Sequence, residues 1–164
     1  MPATGLDLRR VDRSQEEVVR NLMEHYCHDM AEWFLLDANE DGNYSYPAHK
    51  IWNDVVHVYL AYLGRIPVGF ALIGSAEPFV GDSAARDLDE FFVVRRHRRS
   101  GIGQALATHM WEQYPGKWLV RVYQGNRSAI LFWQRAIARY TDGRFQEEER
   151  SVSGRPWSYF SFER

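Results

Sequence analysis

The stretch Phe91-Phe92-Val93-Val94-Arg95-Arg96-His97-Arg98-Arg99-Ser100-Gly101-Ile102-Gly103 decides how the rest of the chain reads. Its four apolar residues, aromatic and β-branched, have the make-up of a buried strand. The next five carry four arginines, and a glycine pair closes the turn. The helical pattern from Gln104 to Trp111 follows at once, with Ile102, Leu106 and Met110 recurring at i, i+4 and i+8. A chain that passes from a strand into a helix N-terminus leaves backbone N–H groups as donors and adds about half a positive charge. Gly101 and Gly103 carry no Cβ, so a ligand can approach the backbone closely. Strand, basic turn, glycines and helix in this order predict a cradle for a diphosphate. No Gly-Lys-Ser/Thr follows, which excludes a nucleoside-triphosphate loop, and Leu106 stands where a dinucleotide fingerprint needs its third glycine.

Composition narrows the class. A chain of 164 residues with 45% hydrophobic content can bury one sizeable core, so residues 1–164 are expected to form a single domain. A net charge of -2 gives no general attraction to nucleic acid or membrane, and neither is expected as a partner. Arg95 to Arg99 alone would suit a nucleic-acid patch, but their place between strand and glycine turn favours a cofactor phosphate. No apolar run approaches the roughly 20 residues that span a bilayer, and the polar start lacks a signal-peptide core. Cys27 is the single cysteine, so an intrachain disulfide is impossible and a cytoplasmic setting is expected. His25 and His28 flank Cys27 at a spacing that could hold a metal, yet no third ligand is near, and no metal is expected.

The order of elements is legible. Leu6 to Val11 suits a strand. Ser14-Gln15-Glu16-Glu17 reads as a capping box, opening a helix with Val18, Val19, Leu22, Met23, Tyr26, Cys27, Met30 and Phe34 along one stripe. Turn signals stand at Asp41-Gly42-Asn43 and Pro47. His57–Leu63 and Pro67–Gly74 read as a hairpin around Gly64-Arg65. Glu77–Ala84 reads as a loop, Arg86–Val94 as the central strand and Trp118–Tyr123 as the strand after the cradle helix. Ala129, Trp133 and Ile137 stripe a helix after Asn126. Phe145–Val152 and Trp157–Phe162 form a closing hairpin around Ser153-Gly154, with Glu147, Glu148 and Glu149 on its solvated side. Trp111 and Trp118 read as core.

Arg98-Arg99-Ser100-Gly101-Ile102-Gly103 resembles the Arg/Gln-x-x-Gly-x-Gly/Ala signature of the GNAT superfamily of N-acetyltransferases. Asn126-Arg127-Ser128-Ala129-Ile130-Leu131-Phe132-Trp133 is similar to that family's Asn-x-x-Ala-x-x-Phe-Tyr helix, which flanks the pantetheine arm of coenzyme A. The likeness is specific from His57 to Tyr140, and Phe132-Trp133-Gln134-Arg135 looks like a bacterial subgroup of predicted acetyltransferases. The resemblance implies an α/β fold: a mixed, mostly antiparallel central sheet with a splayed parallel strand pair, flanked by helices. It implies acetyl-CoA as co-substrate, a small-molecule or peptide amine as acceptor, and is compatible with a homodimer. Carried over residue by residue, the backbone of Phe92, Val93 and Val94 pairs with the pantetheine amides. Arg98, Arg99, Ser100, Gly101, Ile102, Gly103 and Gln104 cradle the diphosphate, while Asn126, Ala129 and Trp133 flank the arm. The N–H of Val93 is the expected oxyanion donor.

Acetyl transfer needs a neutral amine, hence a base, and a donor for the developing oxyanion. The family resemblance implies a base on the central strand, where Asp87, Asp89 and Glu90 are candidates. Two-residue alternation puts Asp87 and Asp89 on one face and Glu90 on the other, unless a bulge near Phe91 intervenes. Asp89 and Glu90 stand nearest the thioester and are the expected catalytic carboxylates. Trp133 departs from the family, whose tyrosine there can protonate the leaving thiolate; an indole cannot. Tyr123, Tyr140 or water could substitute, or the thiolate, with a pKa of about 8.5, could leave unassisted. From Asn21 to His49 there is no lysine or arginine, whereas Glu24, Asp29, Glu32, Asp37, Glu40 and Asp41 supply six carboxylates among Tyr26, Trp33, Phe34, Tyr44 and Tyr46. Such a region either attracts a cationic amine or is a solvated loop. The alternative function is an acyl-CoA-binding sensor of the same fold without turnover.

Overall fold

The structure, a computed structural model, describes residues 5–164. The elements run β1 (Leu6–Val11), α1 (Glu16–Met30), α2 (Ala48–Ile51), β2 (His57–Leu63), β3 (Ile66–Ser75), α3 (Glu77–Val80), β4 (Arg86–Val93), α4 (Ile102–Gln113), β5 (Lys117–Tyr123), α5 (Arg127–Thr141), β6 (Gln146–Val152) and β7 (Arg155–Glu163). The strands form one seven-stranded sheet in the order β1-β2-β3-β4-β5-β7-β6. The pairs β1·β2, β5·β7 and β6·β7 are antiparallel. β4 and β5 run parallel, with Arg86 opposite Trp118 and Asp87 opposite Leu119, at the start of both strands. This is the mixed, mostly antiparallel sheet with one parallel pair that the family resemblance implies.

The chain divides into two compact units, the first drawn from Met1–Leu72 and Glu90–Leu106, the second from Ile73–Asp89 and Ala107–Arg164. In the first, α1 lays Val19, Leu22, Met23 and Cys27 against Val58, Leu60, Tyr62, Phe70, Leu72 and Phe92. Each such side chain contributes about 1.5–3 kcal/mol on burial, so this face anchors α1 without strong helix propensity. In the second, Trp111 is fully buried and packs edge-on against Phe162, with ring centroids 5.2 Å apart. Trp118 is also buried, so both tryptophans are core as their sequence context predicts.

Three local expectations are corrected. The Ser14 capping box does not form: Asp12 accepts from the Ser14 N–H at 2.9 Å and caps a short 3-10 turn, Arg13–Gln15, that leads into α1. Ser14 thus lies inside that turn, and Gln15, which heads α1, makes no side-chain cap bond. The stripe of α1 stops at Met30, and Phe34 lies beyond the helix. Within the expected loop Glu77–Ala84, Glu77–Val80 forms one helical turn, which Gly81 ends with φ 69°. β6 forms an edge of the sheet, and Glu147, Glu148 and Glu149 are exposed on it, charges that discourage pairing with another strand.

Candidate active site

The cradle takes shape within a few residues. Val94 passes into a 3-10 turn at Arg95–His97, and Ser100 Oγ donates to the His97 carbonyl at 2.5 Å. Arg99 has φ 62° and Gly101 φ 86°. Two left-handed residues so close together turn neighbouring N–H groups into a concavity suited to anions, and an arginine in that region is unusual for an L residue. The first bond of α4 runs from the Ala105 N–H to the Gly101 carbonyl at 2.9 Å. By helix geometry the N–H groups of Ile102 and Gly103 therefore have no acceptor within the helix. With Arg99 and Ser100 exposed beside them, and Gln104 in the same helical turn, this donor set fits a diphosphate.

Backbone orientation in β4 is set by β3. The Val94 N–H donates to the Val68 carbonyl at 2.8 Å. At Gly69, an added Cβ would stand 2.5 Å from the Phe92 carbonyl oxygen, which therefore faces β3. In a trans peptide the N–H points opposite to the C=O, so the Val93 N–H is directed away from β3. Gly69 lies within the strand Pro67–Gly74 expected from the sequence, inside β3. An isolated glycine inside a strand is the available sign of a close backbone approach.

The carboxylates of β4 divide as alternation predicts. Asp87 accepts from Arg121 Nη2 at 2.6 Å and from its Nε at 3.2 Å, and Asp89 accepts from the same Nη2 at 3.0 Å. Burial pushes the Asp87 carboxyl up to about 6, against the pull of Arg121 and with the Asp89 charge adding to the rise. Arg121 also lies 3.6 Å from the centroid of the Phe79 ring. Glu90 faces α1 instead. Its Oε2 accepts from the Tyr26 hydroxyl, and its Oε1 accepts from Tyr46 at 3.0 Å. Burial, then the Glu90 charge, raises the Tyr26 hydroxyl well above its ordinary value, so Tyr26 keeps its proton and serves as a donor. The structure thus places Asp89 in an ion pair with arginine and Glu90 in a niche of two tyrosine hydroxyls. Neither partnership could be read from the sequence, because Tyr26 and Tyr46 lie 64 and 44 residues away.

Of the six carboxylates between Asn21 and His49, two are held internally. Glu24 accepts the Tyr44 N–H at 2.7 Å, and Asp29 pairs with Arg95 at 2.8 Å and with Arg98. Glu32, Asp37, Glu40 and Asp41 remain exposed. Asn126 Oδ1 caps α5 by accepting from the Ala129 N–H at 3.1 Å. Trp133 is buried, its ring 6.2 Å from that of Trp111. Tyr140 packs at 4.9 Å from Trp111, and burial raises its hydroxyl, making it a weaker acid. Arg155 lies 5.3 Å from the Tyr123 ring centroid.

The chain belongs to the acetyltransferase (GNAT) family, whose model matches residues 20–137, and is an acetyl-CoA-dependent N-acetyltransferase. No curated protein matches it significantly by sequence. Solved structures share its fold at low identity. The yncA protein of Salmonella typhimurium, solved with its cofactor acetyl-CoA, superposes with a TM-score of 0.65 at 12% identity, over 98% of this chain and 94% of that one. Ribosomal-protein-alanine N-acetyltransferase from Brucella melitensis gives 0.65 at 20% identity, over 96% and 99%. A spermidine N-acetyltransferase SpeG chimera from Vibrio cholerae and hSSAT gives 0.62 at 12%, over 98% and 96%. No helix among the described residues is long and apolar enough to cross a membrane.

Proposed function

We propose that this enzyme moves the acetyl group of acetyl-CoA to the primary amine of a cationic small molecule or peptide, with Glu90 as general base and the Val93 N–H as oxyanion donor. The observation that carries this reading is the pairing on one strand of a tyrosine-held carboxylate and, three residues on, an N–H turned away from β3. Acetyl-CoA supplies an acetyl thioester. The cradle of Arg99, Ser100, Gly101, Ile102, Gly103 and Gln104 holds its diphosphate, and Phe92, Val93 and Val94 line its arm. Glu90 takes the ammonium proton of the acceptor and leaves a neutral amine. Each hydrogen bond to its charged carboxylate is worth about 1.5–3 kcal/mol and fixes its direction. Asp89, bound to Arg121, is the weaker candidate for base. No side chain is required as general acid, because a thiol of pKa about 8.5 leaves without one.

The exposed Asp37, Glu40 and Asp41 would draw a cation toward a segment that Tyr46 fastens to Glu90. The structural neighbours act, by their names, on a protein's alanine and on spermidine, both amines. Asp37→Asn, Glu40→Gln and Asp41→Asn together should lower the acceptor specificity constant by about tenfold to a hundredfold, at up to about 1 kcal/mol for each exposed contact. The KM for acetyl-CoA should barely move. Steady-state thiol release over a set of amines makes the test. Equal kinetics for the wild type and the triple variant would make the acids a solvated surface.

A further inference from the structure

We propose that Asp29 and Arg98 form a positioning pair that fixes the Val93–Val94 peptide, so that Arg98 sets the oxyanion donor rather than supplying charge to cofactor phosphates. The proposal rests on the role given above to the Val93 N–H. Arg98 Nε donates to the Val93 carbonyl at 2.8 Å, and its Nη2 pairs with Asp29 Oδ2. Its guanidinium carbon stands 5.5 Å from the centroid of the Phe92 ring. Asp29 belongs to the last turn of α1, where its side chain is 15% exposed, and Arg95 takes its other oxygen. Burial alone would raise the Asp29 carboxyl, yet the two arginines hold it below its usual range, so the pair is ionised at neutral pH.

The consequence follows from peptide geometry. The Val93–Val94 unit is fastened at both ends, by Arg98 at its carbonyl and by Val68 at its N–H. The preceding unit, Phe92–Val93, presents its carbonyl toward Gly69 and its N–H the other way. The two planes meet at the Val93 Cα, so loosening the first tilts the second and with it the N–H that meets the oxyanion. A planar fork can bridge a carboxylate and a carbonyl at once; a lysine ammonium cannot reproduce that geometry although it keeps the charge. Arg99, exposed in the left-handed turn, is the cation placed for phosphate.

Arg98→Lys and Asp29→Asn should each lower kcat by about tenfold to a hundredfold, the range that misplaced donors produce. In both, any loss of acetyl-CoA affinity measured by calorimetry should be much smaller than the loss in kcat, and the salt dependence of Kd should stay near the wild-type value. The double variant should be no worse than either single one, because both break the same link. Arg99→Ala should do the reverse, raising Kd by an amount that shrinks as salt screens exposed charge. In the ligand-free protein, the amide resonances of Val93 and Val94 should move in both Arg98→Lys and Asp29→Asn, a readout independent of whether acetyl transfer is the reaction. Wild-type kcat in Arg98→Lys, tighter acetyl-CoA binding in Asp29→Asn through release of Arg98, or unmoved Val93 and Val94 amides would each overturn the proposal.

Discussion

Glu90→Gln is expected to lower kcat for acetyl transfer by about 10²–10⁴, the usual contribution of a positioned general base, while acetyl-CoA binds as before. The amide is isosteric with the carboxylate and can still accept from a tyrosine, so Tyr26 and Tyr46 should stay in place and the fold should hold. What the amide cannot do is take a proton. Steady-state rates together with calorimetric titration of acetyl-CoA make the check. Asp89→Asn provides the contrast. Its carboxylate already answers Arg121, together with Asp87, so the loss should be much smaller and should show in stability as well as in rate. A variant pair that behaves the other way round would move the base to Asp89.

Gly69→Ala is the second large effect expected. The new Cβ would stand 2.5 Å from the Phe92 carbonyl oxygen and 3.4 Å from the Val93 Cα. Both are backbone atoms, so no side-chain rotation relieves the contact, and β3 and β4 must part. Overpacking of this kind costs about 1–3 kcal/mol. A chain of this size should then melt roughly 2–12 °C lower, at about 2–4 °C per kcal/mol. The displaced peptide carries the Val93 N–H, and a shift of about 1 Å in such a donor can cost about a hundredfold in rate. Gly74→Ala on the same strand is the control, since nothing stands within 4 Å of its added Cβ and its φ is not positive. Thermal melts and steady-state rates for the two variants check the contrast. Equal rates would separate Gly69 from the chemistry.

The parts of this enzyme that were legible in its sequence are those fixed by neighbours along the chain. The apolar run before Arg95, the glycine pair and the i, i+4 stripe of α4 each depend on a few consecutive residues, and the boundaries Leu6–Val11 and His57–Leu63 match those read from alternation. Alternation also placed Asp87 and Asp89 on one face and Glu90 on the other, as their bonds to Arg121 and to the tyrosines show. The rest depends on contacts distant along the chain. Arg98 carries the glycine signature, but its partner Asp29 lies 69 residues earlier, and no local pattern announces the pair. The same separation hid the claim of Asp29 and Glu24 on internal partners, which leaves fewer carboxylates facing solvent than the count between Asn21 and His49 suggested. The misplaced cap at Ser14 has a different cause. Asp12 captures the Ser14 N–H and sets a 3-10 turn ahead of α1, which puts Ser14 inside a turn rather than at a cap, and short-range rules do not rank the two arrangements.

Release of thiol from acetyl-CoA, followed together with mass analysis of the amine, tests the central claim most directly. With a set spanning a polyamine, an amino-acid amine and a peptide N-terminus, thiol should appear only when a suitable amine is present, one acetylated amine should form for each thiol freed, and Glu90→Gln should abolish nearly all of both. Tight binding of acetyl-CoA with no thiol released for any amine would contradict it, and would make the chain an acyl-CoA sensor built on an acetyltransferase fold.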